Sequence, residues 1–155
     1  MSLQHEMGWP RPITHRAHEA LMNIAVTGDL LSKEANRVLA PFGITEAQFN
    51  VLMLLVYQSE GDMTQTRIGE MLLVNRSNVT GLIDRMEKAG WVRRTFTEGD
   101  RRVKYIEITL AWKDLLRQAH QAYYTRVEEV MSGLSEAEWT CLSELTERIR
   151  AKIPR

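Results

Sequence analysis

Residues Asn75 to Ile108 read NRSNVTGLIDRMEKAGWVRRTFTEGDRRVKYIEI, and this stretch decides the fold. Its first half has the period of a helix. With a step of about 100° per residue, Val79, Leu82, Ile83 and Met86 fall together as an apolar stripe. Ser77, Gly81, Asp84 and Lys88 lie opposite, flanked by Asn78, Thr80 and Arg85. Asn75 is suited to an N-cap, and Gly90 to the residue just beyond the C-terminus. A helix whose first turns carry short hydrogen-bonding side chains and no bulky apolar ones fits a major groove and reads base edges there. A surface helix with a merely solvated face would share the pattern, so the next segment matters.

That segment is a basic hairpin. Trp91–Phe96 and Val103–Ile108 are rich in β-branched and aromatic residues, as strands are. The intervening residues 97–102 include Gly99, free to take positive φ in the turn. A two-stranded ribbon directly after a reading helix is the wing of a winged helix-turn-helix. Its tip bears Arg101 and Arg102, placed to reach phosphates or an adjacent minor groove.

The run Asn78–Arg94, followed by Asp100-Arg101-Arg102 and then Ile108-Thr109-Leu110, closely resembles the signature of the MarR family of bacterial transcriptional regulators. The resemblance extends from about Leu21 to Ile149. It implies a mainly α fold with a small β-hairpin wing, flanked by N- and C-terminal dimerisation helices. It further implies a homodimer that binds an inverted-repeat operator in double-stranded DNA, as a ligand-responsive repressor. The DNA-binding residues would be Arg76, Ser77, Asn78, Thr80, Gly81, Arg85, Lys88, Arg101 and Arg102, with Asp84 and Asp100 positioning the wing. Asp84 would otherwise repel phosphate; Arg101 or Arg102 is expected to neutralise it, the alternative being a local pair with Lys88. One departure stands out: Trp112 occupies a region where the family usually carries glycine, shortly after the Leu-Thr that opens its fifth helix.

The charge distribution agrees with a nucleic-acid partner. The chain of 155 residues has no net charge, yet between Arg76 and Lys104 eight cations stand against four anions. The other 126 residues carry twelve cations and sixteen anions. Positive charge is thus concentrated on the element expected to meet phosphate, while the acidic remainder is turned away from the duplex. The length suits one domain, residues 1–155, and 44% apolar residues suffice for a core. No apolar run reaches the length of a membrane span, and no signal-peptide segment opens the chain. One cysteine leaves no intramolecular disulfide and fits a reducing compartment. The expectation is a cytoplasmic protein without membrane contact.

Within that domain, residues 45–108 form the winged helix-turn-helix, and residues 14–40 and 109–153 the dimerisation helices. Thr45-Glu46-Ala47-Gln48 is a capping box opening a helix with Phe49, Leu52, Met53 and Val56 on its apolar face. A short helix through Leu72 follows, with Ile68, Met71 and Leu72 inward and Gly69 leaving room for close crossing with the reading helix. Leu73-Val74 makes the turn. The first long helix, from about Thr14 to Leu39, carries Leu21, Ile24, Ala25, Leu31, Ala35 and Val38 along one side and ends at Pro41 and Gly43. Thr109 opens another, to about Met131. Ser135-Glu136-Ala137-Glu138 is a second capping box, starting a helix with Trp139, Leu142, Leu145, Ile149 and Ile153. These stripes are broader than one small domain can cover, and the family resemblance implies that the helices interleave between two subunits. Two-fold symmetry would place the reading helices about 34 Å apart, one duplex turn.

The remaining candidates are weaker. His15 and His18 share a helix face, but no cysteine or carboxylate completes a ligand set, so no metal or cofactor is expected. Cys141 reads either as a redox sensor or as a small core or interface residue; no adjacent cation favours the first. Where the family places its effector pocket, His18, Phe49, Met53, Tyr57 and Trp112 are the candidate lining, with Tyr105, Tyr123 and Tyr124 near. The bulk of Trp112 suits a small aromatic or phenolic effector. Phosphate-binding glycine loops, H-E-x-x-H and C-x-x-C are all missing, so an enzyme is not expected. The competing function is a winged-helix protein-interaction module without DNA binding, its Arg101 and Arg102 meeting an acidic partner.

Overall fold

The computed structural model describes residues 3–10, 13–58, 63–72, 76–97 and 100–154, and of residues 76, 77, 97, 100–103 and 111 the backbone alone. Two helices precede the winged part: α1 (Leu3–Glu6) and the long α2 (Arg16–Leu39). A 3-10 turn over Ala40–Phe42 closes α2, and Gly43, at φ +70°, turns the chain in the left-handed region as its glycine allows. Next come α3 (Glu46–Tyr57), α4 (Gln65–Leu72), α5 (Arg76–Lys88), the strands β1 (Val92–Thr97) and β2 (Asp100–Ile108), then α6 (Leu110–Met131) and α7 (Glu136–Arg150).

Both expected capping boxes form. The Thr45 hydroxyl accepts from the Gln48 N–H while the Gln48 side chain accepts from the Thr45 N–H; Ser135 and Glu138 repeat the arrangement at α7. Each satisfies two backbone donors that a helix start leaves orphaned. The N-terminus of α2 differs from the expected start at Thr14. His15 is its N-cap, its ring Nδ1 accepting from the His18 N–H at 3.2 Å.

The core lies in the middle of the chain. Ile44, Phe49, Val51, Leu52, Ile68, Val79, Ile83, Met86, Val92, Ile106, Leu116 and Ala119 are all buried and form one cluster. The helix α3 is apolar on most sides, so Val51 and Leu55 are buried beside Phe49 and Leu52, whereas Val56 is exposed. On α4, Ile68 and Gly69 are buried, but Met71, expected inward, faces out. An eight-residue helix makes barely two turns, and its inward stripe is narrower than the sequence suggests.

The wing is an antiparallel pair running from Val92 opposite Ile108 to Phe96 opposite Lys104, with an irregularity before Thr97. A feature not expected from sequence pins it down. The Ile106 N–H donates to the Met63 carbonyl at 2.7 Å, and Thr64 bridges Tyr105, so the segment leading into α4 fastens to the edge of β2.

The terminal helices look quite different. No residue of α7 is buried, and Trp139, Leu142, Leu145, Ile149 and Ile153 are exposed. On α2 only Ala35 and Leu39 are buried, leaving Leu21, Ile24, Leu30 and Leu31 bare. The protomer holds α2 to α6 through Arg126, whose Nε donates to Glu34 at 2.5 Å, while Arg37 pairs with the same carboxylate. These two guanidinium groups, Arg37 foremost, lower the Glu34 pKa to about 2.

Candidate nucleic-acid interface

The helix α5 has two distinct faces. Val79, Ile83 and Met86 are wholly buried and Leu82 nearly so, whereas Asn78, Thr80, Asp84, Arg85 and Lys88 are exposed. The apolar face seats the helix on the core; the polar face is left to solvent. A Cβ added at Gly81 would meet nothing closer than Arg85 Nη1 at 3.5 Å, an ordinary contact. The protein's own packing therefore does not require glycine there. The helix ends as expected at Gly90, φ +77°, where the Gly90 N–H reaches the Glu87 carbonyl and the Trp91 N–H the Met86 carbonyl, both at 2.9 Å. This is a Schellman closure, in which the left-handed residue turns the chain straight into the wing.

The wing is held to α5 by Arg94. In a strand, alternate residues share a face, so Arg94 sits on the same side as the buried Val92. Its side chain is 15% exposed, and the guanidinium donates to Asp84 Oδ1 at 2.5 Å and also to Glu87, while the Arg94 N–H donates to Glu87 at 3.0 Å. Burial opposes the Arg94 charge, but the hydrogen bonds it donates to Asp84 and Glu87, and their negative charges, outweigh it and raise the pKa. Asp84 thus has a counter-ion in Arg94 of β1, a partner not expected from the sequence. The side chains of Arg101, Arg102 and Asp100, like those of Arg76 and Ser77, lie outside the described residues, as do Asn75, Leu73-Val74 and Gly99. Among the described residues no ion pair joins Asp84 to Lys88. A signal for Arg94 was present: an arginine in phase with a core valine needs acid partners close by, and the preceding helix offers Asp84 and Glu87.

A second feature is a cavity of about 590 Å³ between α3, β2 and the start of α6. Met53, Met63, Ile106, Ile108 and Leu116 form its apolar lining, with Tyr57, Lys113, Arg117 and His120 around it. Of the five expected pocket residues, Met53 and Tyr57 line it. The other three stand elsewhere. Phe49 is buried against Tyr123, ring centroids 4.9 Å apart, because it occupies the core face of α3. His18 is exposed beside its N-cap, and the indole of Trp112 packs on Trp91 at 4.1 Å. Sequence reading missed Lys113, Arg117 and His120, although their spacing marks one face of α6. Cys141 is exposed in the protomer, and no group of three metal-ligating side chains forms among the described residues.

Comparison with known proteins follows the same lines. Residues 44–104 match the MarR family model. The chain is 32% identical over 116 residues to the uncharacterized HTH-type transcriptional regulator YwoH of Bacillus subtilis (strain 168), spanning 75% of this chain and 82% of YwoH. The chain belongs to the MarR family. It is also 26% identical over 123 residues to the transcriptional repressor MprA of Escherichia coli (strain K12), covering 79% of this chain and 70% of MprA. In three dimensions it resembles Sco3205, a MarR family regulator from Streptomyces coelicolor solved in complex with DNA, with a TM-score of 0.84. That match spans 94% of this chain and 93% of Sco3205 at 21% identity, and it establishes the winged-helix fold. The MarR family is one of DNA-binding transcriptional regulators, not of enzymes, and this MarR chain is such a regulator. Among the described residues no single helix is long and apolar enough to cross a membrane.

Proposed function

We propose that this MarR regulator represses transcription as a two-fold homodimer, laying the polar face of α5 from each protomer into successive major grooves of an inverted-repeat operator. The observation that carries this reading is the division of α5 into a buried apolar face and an exposed face of Asn78, Thr80, Arg85 and Lys88, with Gly81 partly exposed between them. Residues 45–108 are the DNA-binding part, with Arg76 and Ser77 at the helix start and Arg101, Arg102 and Asp100 at the wing tip. Residues 14–40 and 109–153 supply the dimer, and the bare apolar stripes of α2 and α7 support this.

The test begins with duplexes selected from a random pool by the protein. Affinity should fall with salt, each neutralised phosphate contributing about 0.9 to the log–log slope. Arg101→Ala should weaken all sequences alike and flatten that slope by about one unit. Asn78→Ala and Thr80→Ala should each cost about 1–3 kcal/mol on the selected site and little on random DNA. Equal losses on both would reduce α5 to a positioning element. Failure to select any duplex would favour a protein-interaction module instead.

Control rests on the cavity. Its apolar lining beside Lys113 and Arg117 suits a small aromatic acid or phenolate, and its position against β2 connects occupancy to the wing. A ligand that prefers another wing geometry lowers DNA affinity by population shift. Aromatic acids should release selected DNA from the wild type and less effectively from Arg117→Gln. Release that is indifferent to this substitution would place the effector elsewhere, with Cys141, His15 and His18 the next candidates.

A further inference from the structure

The C-terminus of the reading helix and the N-terminus of α6 are fastened together by residues outside the cavity lining. The Thr109 N–H donates to the Trp91 carbonyl at 2.9 Å. The Thr109 hydroxyl donates to the Gly90 carbonyl at 2.8 Å and lies 3.2 Å from that of Trp91. It makes no capping bond to its own helix, so its bonding is spent across the joint. One turn into α6, the Trp112 ring packs on Trp91 with centroids 4.1 Å apart and planes 42° apart. Both indoles are half-buried against the core. From this joint α6 runs 22 residues without interruption to Met131, and it carries Arg126, the residue that ties it to Glu34 on α2. A helix of that length is a stiff rod of about 33 Å, so a small rotation at its start becomes a large displacement at its far end.

We propose that Trp112, with Trp91 and Thr109, sets the angle between the reading helix and α6, and thereby the spacing at which a dimer accepts its two half-sites. This rests on the dimeric DNA-binding reading above. Trp112 is a positioning residue: it touches no DNA but fixes the element that does. Two flat rings in tilted contact resist sliding and rotation better than an aliphatic pair, and glycine at this position would leave the hydrogen bonds of Thr109 to hold the joint alone. The paired indoles also make the joint observable, because closely packed indoles give an exciton signal in circular dichroism.

The experiment uses the full chain and three duplexes: the site selected by the wild type, the same site with one base pair inserted between its halves, and a single half-site. One inserted pair rotates one half by about a tenth of a turn. The wild type should discriminate strongly against the insertion. Trp112→Ala should lose the exciton signal, bind the single half-site as the wild type does, and discriminate about fivefold less between the two full sites. Trp112→Phe should restore the discrimination. Thr109→Val, which keeps both indoles, should shift discrimination in the same direction and serves if Trp112→Ala fails to fold. The proposal is overturned if both Trp112→Ala and Thr109→Val discriminate as the wild type does, or if half-site and full-site affinities fall in parallel. Absence of DNA binding by the wild type would instead defeat the reading on which it rests.

Discussion

The winged centre and the terminal helices of this protein solve the problem of burial in opposite ways. Between Ile44 and Ala119 the chain folds onto itself, and every element contributes side chains to one cluster. In α7 no residue is buried, although its apolar stripe is as regular as that of α5. The same periodicity therefore has two meanings. On α5 it marks a face satisfied within the protomer; on α7 it marks a face that only another surface can cover. The difference teaches that amphipathic period identifies a helix and its apolar side, but not the chain that supplies the other half of the contact.

The largest expected effect tests the self-contained centre. Ile83→Ala removes a wholly buried side chain and should destabilise by about 2–5 kcal/mol. In chemical unfolding the loss should be of similar size in variants that are already monomeric. A loss below about 1 kcal/mol would mean that the α5 seat is looser than its burial implies.

Leu142→Asp tests the other region. It should split the dimer while leaving the helical signal of the protomer in place, since Leu142 touches no core of its own chain. Burying a leucine side chain contributes about 1.5–3 kcal/mol, and a two-fold interface loses it twice. Sedimentation over a range of concentrations reads the shift to monomer; an unchanged dimer would remove α7 from the interface.

Arg94→Ala probes the attachment of the wing to the centre. It strips Asp84 and Glu87 of a shared cation and leaves two carboxylates beside the groove face. DNA affinity should fall by about 1–3 kcal/mol, and Asp84→Asn in the same chain should recover part of it. No recovery would show that Arg94 acts through the wing's position rather than through charge. Gly81→Ala should separate folding from function: helix propensity raises stability by about 0.5–1 kcal/mol, while a methyl on the groove face weakens DNA binding. Equal or better DNA binding would free Gly81 of any role at the duplex.

The smallest effect concerns acid. Glu34 is held at a pKa of about 2 by Arg37 and Arg126, below its ordinary value of 4.5. A lowered carboxylate contributes stability above the unfolded value and loses it as pH falls from about 4.5 toward 2. The α2–α6 tie should thus loosen only in that window, and Glu34→Gln should flatten the pH dependence there. The same profile in both proteins would assign acid sensitivity to other groups.

Much of this was legible along the chain because it is local. The stripe of α5, the stop at Gly90, and the capping boxes at Thr45 and Ser135 involve partners within five residues, where helical geometry dictates who meets whom. The exposed cationic face of α5 could be read for the same reason. Contacts between distant segments could not. Met63 meets Ile106, Asp84 and Glu87 meet Arg94, Thr109 returns to Gly90, and Trp112 closes on Trp91. In each case sequence supplies groups with unmet needs, a strand edge, a carboxylate, a hydroxyl or an aromatic face, and several partners would serve. The choice falls to the packing of α3, α4 and α5 against the wing, which brings one candidate within reach and removes the rest. That packing also buries Phe49 against Tyr123, sets Trp112 on Trp91, and leaves a cavity between α3, β2 and α6.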